Sequence, residues 1–284
     1  SYHSYNSFLL MVTKGNWNVP ITPKAEKPTV EKKVYDNPDG TSTGVFGSSA
    51  DHAINEKFQF KLTATLPAST DHAYDYYDTY AVCFKDTLSE GITYDGPDSV
   101  VIKSNNNTYN TTIAPSKYTI DTKNLENQNY FEVNIHDVKA CAKDAGFDLN
   151  DGATITFTYT AHLNEKATVN TTSGPTDNKN SVQLQYSNNP RPGDYWGTTP
   201  KSEVYVFTYQ LNNTKYHDDD NPNNVLAGAG FRLYSNKDCT EEQEIKLKKN
   251  TTDGTYSPYF GTDAGDEMFS DEHGQFNVKG LDAG

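Results

Sequence analysis

Residues 80–94, YAVCFKDTLSEGITY, decide how the chain reads. Tyr80, Val82 and Phe84 share one parity, and Ala81, Cys83 and Lys85 the other. In a strand, residues two apart point to the same side, so the first set makes an apolar face and Cys83 falls on the outer one. The next position on the apolar face is Asp86. A carboxyl group continuing a row of large apolar side chains carries a desolvation penalty unless something pairs with it.

Two other segments repeat the anomaly. In residues 28–34, PTVEKKV, Lys32 shares parity with Val30 and Val34. In residues 179–190, KNSVQLQYSNNP, Asn180 shares parity with Val182, Leu184 and Tyr186. An acid, an amine and a carboxamide are therefore each predicted to face a core, on three strands far apart in sequence. Burial lowers the pKa of an amine and raises that of a carboxyl, driving both toward neutral forms. Such a group has two outcomes. One is a plain buried ion pair, which needs good geometry to be stable. The other is attack of a neutral amine on a carboxamide, with a proton donor polarising the amide oxygen and helping ammonia leave.

The surrounding sequence indicates β structure. The chain has 284 residues, room for about two domains. Hydrophobic residues are 34%, yet the chain holds 20 Tyr and 13 Phe. Short alternating runs of Tyr, Thr, Val and Phe, broken by Asn, Asp, Gly and Pro, predict strands at 29–35, 57–66, 80–84, 92–94, 99–103, 118–121, 130–135, 154–163 and 181–186. Turn chemistry at Asn37-Pro38-Asp39-Gly40, Asp95-Gly96-Pro97 and Asp151-Gly152 separates several of them. Only 135–145 reads as helical. The spacing predicts an antiparallel sandwich over residues 28–192. Residues 1–27 read as the tail of a preceding domain and a Pro/Lys-rich linker. Residues 193–284 read as a second β-domain that opens on SEVYVFTYQLNNTKY. Its predicted inward positions are Phe207, Tyr209 and Leu211, and that face reaches Lys215.

Several functions are argued against. With 24 basic against 38 acidic residues the net charge is -14, which does not suit a nucleic-acid partner. No apolar run approaches the length of a membrane span. Three cysteines exclude a disulfide-dense scaffold, and a Cys83–Cys141 bridge is left open. The seven His are dispersed, so no metal is predicted. The run Asp218-Asp219-Asp220 lacks EF-hand spacing and reads as a solvated loop. There is no P-loop, dinucleotide fingerprint or nucleophile elbow, and no cofactor is implied. The Asn-x-Thr sites at Asn106, Asn110, Asn170, Asn212 and Asn250 read as chance products of Thr/Asn-rich loops.

PTVEKKV, KDTLSEGITYD, ATITFTYTAHLNEKA and NSVQLQYSNNP, in that order, resemble the isopeptide-forming second domain of Gram-positive, sortase-assembled backbone pilins. The resemblance covers nearly all of residues 28–192. It implies an all-β protein of tandem immunoglobulin-like sandwiches, the first similar to a collagen-adhesin A domain. It also implies roles: Lys32 as the amine, Asn180 as the amide and Asp86 as the catalytic acid of an internal Lys–Asn bond between first and last strands. LAGAGFRLYS and GQFNVKGLDAG resemble the collagen-adhesin B-type domain, C-terminally incomplete. There Lys215 matches the isopeptide lysine, with its partner expected beyond GLDAG. VPITPK, with Trp17 upstream, is similar to the pilin motif and makes Lys24 the lysine joined by a sortase to the next subunit. Thr22 stands where Tyr is usual. The implied function is a structural subunit of a cell-wall-anchored surface pilus, whose partners are other pilin subunits and the sortase. The alternative is an adhesin or tip subunit of the same domains, binding host matrix or glycans.

Overall fold

The computed structural model describes residues 26–37, 43–169, 177–190, 196–218, 221 and 223–283. Lys24, with the rest of residues 1–25, lies outside them, as do Asp219 and Asp220.

In chain order the first strands are β1 (Thr29–Asp36), β2 (Val45–Gly47), β3 (Ser49–Asp51), β4 (Lys57–Leu66), β5 (Val82–Leu88), β6 (Ile92–Ser104), β7 (Asn110–Thr112), β8 (Tyr118–Asp121), β9 (Tyr130–Ile135), β10 (Ala153–Leu163), β11 (Lys179–Ser187), β12 (Trp196–Thr198) and β13 (Ser202–Phe207). They form two sheets. One runs β2-β1-β4-β10-β6-β7, and the other β3-β13-β11-β5-β9-β8 with β12 beside β11. The alternating side chains of β4 and β10 explain the layering: Phe58, Phe60, Leu62, Ala64 and Leu66 are buried, as are Ile155, Phe157, Tyr159, Ala161 and Leu163. Fully burying one Phe or Leu stabilises by about 1.5–3 kcal/mol. The predicted helical stretch is the helix Val138–Asp144, which begins where the Asp137 side chain accepts from the Lys139 amide. The same carboxylate accepts from the Tyr80 amide at 3.2 Å, tying the helix to the approach to β5.

The structure corrects the sequence reading in four places. The Asp95-Gly96-Pro97 segment is not a turn between strands. β6 runs through it with register shifts against β10 between Thr158/Tyr159 and Thr160/Ala161. Two bulges absorb the extra residues, and Gly96 carries the positive φ of 131° that one of them needs. Cys83 is buried although it lies off the apolar face, because Glu132 of the neighbouring β9 covers it. Its Sγ lies 3.7 Å from Glu132 Oε2, and both Cys83 and Cys141 are free thiols.

The third correction concerns the boundary expected at residue 192. The strand meant to open the next unit, β13, pairs antiparallel with β11 and parallel with β3, inside the first sandwich. Val204 and Val206 are its buried positions, so Phe207 is not on the inward face.

The fourth is that the chain breaks direction at Thr208. After it come β14 (Tyr209–Leu211), β15 (Gly230–Phe231), β16 (Leu233–Tyr234), β17 (Glu244–Ile245), β18 (Leu247–Lys249), β19 (Tyr256–Pro258), β20 (Met268–Phe269) and β21 (Val278–Leu281). They form a sheet β14-β21-β19-β18 and two strand pairs, β15-β20 and β16-β17. Phe231 and Leu233 pack on a small core of Leu247, Tyr256, Met268 and Val278. Tyr209 and Leu211, predicted to face inward, are exposed.

Candidate functional site

Lys32 projects from β1 between the sheets, and Asp86 and Asn180 project from β5 and β11 of the facing sheet. The register puts Asp86 opposite Val182, so Asn180 lies two residues along β11 on the same face. Lys32 is 2% exposed, and Asp86 and Asn180 are 0% exposed. The structure thus brings together the three residues singled out from parity. Lys32 Nζ donates to Asp86 Oδ2. The Lys32 amide is fixed by Ser202 Oγ of β13 at 2.9 Å.

A fourth group was missed. Tyr159 of β10, itself fully buried, holds its hydroxyl among the other three. The hydroxyl accepts from Lys32 Nζ at 3.1 Å, donates to Asp86 Oδ1 at 3.3 Å and accepts from Asn180 Nδ2. The two β6 bulges bracket Tyr159 in the ladder, where Pro97 stands opposite it. Bulges often re-aim side chains beside functional sites. The available signal was a Tyr on the inward parity of ATITFTYTAHL, since a buried phenol nearly always finds a polar partner.

Apolar surroundings govern the charges. Lys32 Nζ lies 5.0 Å from the Phe60 ring centroid and 5.1 Å from that of Tyr159. Phe131 packs edge-on against Tyr159 at 5.2 Å. Burial pushes the Lys32 ammonium down from 10.5 to about 8, against the opposing pull of Asp86. Burial likewise pushes the Asp86 carboxyl up, against Lys32 and the Tyr159 hydrogen bond. Burial and the Asp86 charge push the Tyr159 phenol well above its usual range. Both members of the Lys32–Asp86 pair are thus driven toward their neutral forms.

The carboxamide is set up asymmetrically. Its nitrogen is bonded to Tyr159, whereas its Oδ1 is buried with no hydrogen-bond partner among the described residues. Asn178, two residues earlier and equally buried, is the control. Its Oδ1 accepts from the Thr168 amide at 2.8 Å, and its Nδ2 donates to Thr168 O at 2.8 Å and Val206 O at 3.1 Å. An unsatisfied buried carbonyl costs about 1–3 kcal/mol. The asparagine that faces the amine is the one held in this unfavourable state, with an oxygen open to a proton donor.

The remaining candidates are not gathered here. Lys215 is exposed, its backbone paired with Gly274 and Leu226. A separate polar group of His72, Asp75 and Asp148 lies exposed with its ligand atoms within 4.8 Å of one another. Asn150 Nδ2 donates to both carboxylates at 2.8 and 3.0 Å, which accounts for it as a fastening between loops.

With this geometry in hand, comparison with solved structures is informative. The 35 kDa C-terminal fragment of the major pilin GBS80 of Streptococcus agalactiae superimposes with a TM-score of 0.64 at 21% identity, covering 90% of this chain and 80% of that one. The fold is that of the major pilins. The full-length major pilin SpaD of Corynebacterium diphtheriae gives 0.54 at 19% identity, and the T6 backbone pilin of Streptococcus pyogenes 0.53 at 17%. This chain spans about half of each of those two, 50% and 47%. No family model matches the chain, and neither does any curated protein sequence.

Proposed function

We propose that this chain is part of the structural subunit of a covalently polymerised surface pilus, and that its sandwich is closed by a self-formed amide between Lys32 and Asn180. The observation that carries the reading is the burial of amine, carboxyl and carboxamide in one apolar pocket, with amine and acid both pushed toward neutrality. Neutral Lys32 attacks the Asn180 side-chain carbon. Asp86, protonated, supplies the hydrogen bond that the carboxamide oxygen otherwise lacks and stabilises the charge developing there. Ammonia leaves, and Asp86 ends in its starting protonation state.

The reaction happens once per chain and acts on the chain itself, so the product is a scaffold. The likeness to major pilins supports a role in a stalk at the cell surface, joined end to end through Lys24 by a sortase to further copies. Closing a loop between residues 32 and 180 removes about 5 kcal/mol of unfolded-state entropy, by the argument used for disulfides. Under tension the link carries load that ladder hydrogen bonds would otherwise bear.

The intact mass of the purified chain tests this. The expected mass falls short of the sequence value by one ammonia, and Lys32→Ala or Asp86→Ala restores the full mass. An undiminished mass in the unsubstituted chain overturns the reading.

A further inference from the structure

We propose that the Tyr159 hydroxyl is a catalytic group of this reaction, the conduit that carries a proton from Asp86 to the departing nitrogen of Asn180. The inference rests on the Lys32–Asn180 reading and adds a residue to it. Its basis is that the two oxygens of Asp86 face different partners. Oδ2 meets Lys32 Nζ, Oδ1 lies 3.3 Å from the Tyr159 hydroxyl, and that hydroxyl touches Asn180 Nδ2. Amine, acid, phenol and leaving nitrogen therefore form a closed ring of contacts. Among the contacts of Asn180 Nδ2 and Asp86 Oδ1, the phenol is the group common to both.

The ring solves a problem that the three-residue scheme leaves open. Ammonia can leave only if Nδ2 gains a proton, and the Asp86 oxygen nearest the amine is occupied in receiving one. In the planar carboxamide Nδ2 can only donate, which is the direction of its present bond to Tyr159. Once Nζ has added to the carbon, that carbon is tetrahedral and Nδ2 acquires a lone pair. The same contact then runs the other way.

Nζ gives a proton to Asp86 Oδ2, Asp86 passes the proton on its Oδ1 to the phenol oxygen, and the phenol passes its own to Nδ2. The Nζ–C bond has formed, the C–Nδ2 bond breaks, and ammonia departs. Asp86 is again protonated and Tyr159 again neutral, so no other reactant is needed. The hydroxyl is suited to relaying rather than ionising, because burial and Asp86 hold its proton firmly. Its ring is fixed by Phe60, Tyr94, Phe131 and Phe157 at centroid distances of 5.2–5.6 Å.

The test follows the mass of freshly synthesised full-length chain over time in a cell-free reaction, with protease resistance reporting when it has folded. Tyr159→Phe keeps the ring and removes the relay. The expected result is a folded chain that loses ammonia at least about tenfold more slowly than the unsubstituted one, in line with general acid–base contributions. Loss at an unchanged rate overturns the role of Tyr159 while leaving the Lys32–Asn180 bond standing. If the unsubstituted chain never loses ammonia, the underlying reading fails as well. Should Tyr159→Phe not fold, 3-fluorotyrosine and 3,5-difluorotyrosine at this position retain the hydroxyl at nearly the same size. A relay makes the rate vary with phenol acidity, and a rate indifferent to acidity overturns it.

Discussion

The sandwich and the C-terminal unit both carry a lysine that the sequence puts at the inward end of an opening strand, and they treat it in opposite ways. Lys32 sits between two sheets of long strands whose core includes Phe60, Phe84, Phe131 and Phe157. Lys215 follows β14, a strand whose neighbours Tyr209 and Leu211 are themselves exposed, in a unit whose fully buried apolar core is Leu247, Tyr256, Met268 and Val278. Parity fixes which way a side chain points. Whether that direction is dry depends on a second layer of structure facing it, and only the dry lysine has its chemistry altered.

The largest expected break in the comparison is thermodynamic. Asn180→Ala removes the link, and the sandwich should lose about 5 kcal/mol in denaturant unfolding, while the transition of the C-terminal unit stays in place. Equal shifts in both transitions would show that the two regions owe their stability to one source.

The mechanical prediction follows from the position of β13. The link joins β1 to β11, but β11 is not the last strand of the sandwich, so residues 181–207 lie outside the closed loop. Under force applied through the C-terminal unit, β13 should peel from β11 and β3, releasing roughly 90 Å at ~3.4 Å per residue. The segment from 32 to 180 should stay folded. Single-molecule pulling that releases the whole sandwich would contradict the link.

The joint between the regions gives smaller effects. Ile54 N donates to Gly280 O at 2.9 Å, Asn55 Nδ2 to Pro258 O at 2.9 Å, and Thr208 Oγ1 to Leu281 O at 3.1 Å. Gly280 has φ 84°, and a Cβ there would stand 2.3 Å from Ile54 Cγ1. Gly280→Ala should weaken this joint by about 2 kcal/mol, read as faster hydrogen exchange at the Ile54 amide, with the ammonia deficit unchanged.

The joint should also respond to pH. Burial, the Asp51 hydrogen bond and the nearby Glu56 and Asp51 charges push the Asp282 carboxyl from 3.8 up to about 7. The docked state then holds a proton that the undocked state releases, so docking is fully favoured below about pH 4 and loses that contribution as pH rises to about 7. His52 opposes its own burial through Glu56 and is raised, while Asp36 is raised by burial and Asp51; both act in the same direction. Glu56, lowered by His52 against its burial, acts the other way and loses its contribution as pH falls below its usual value. Tyr209 also faces this group and is raised by burial and the two aspartates. Protection of the Ile54 amide should decline between pH 4 and 7, and Asp282→Asn should flatten that decline.

Much of the sandwich was legible because its strands alternate without interruption. The predicted strand at 57–66 is β4, and those at 118–121 and 130–135 are β8 and β9. The same alternation found Lys32, Asp86 and Asn180. Tyr159 was missed because a Tyr among core aromatics looks like packing, and its hydroxyl becomes informative only when β5 and β11 are set opposite it. β13 was assigned to the wrong unit because a strand's own sequence does not say which edge it joins. β2, β3 and β7 went unseen because each is three residues long, too short for alternation to register.

The most direct test of the central claim is peptide-level mass spectrometry of the digested full-length chain. The account predicts one branched peptide in which the segment containing Lys32 is joined to the segment containing Asn180, lighter than their sum by the elements of ammonia and absent after Asp86→Ala. Recovery of both segments as separate, unmodified linear peptides would contradict it.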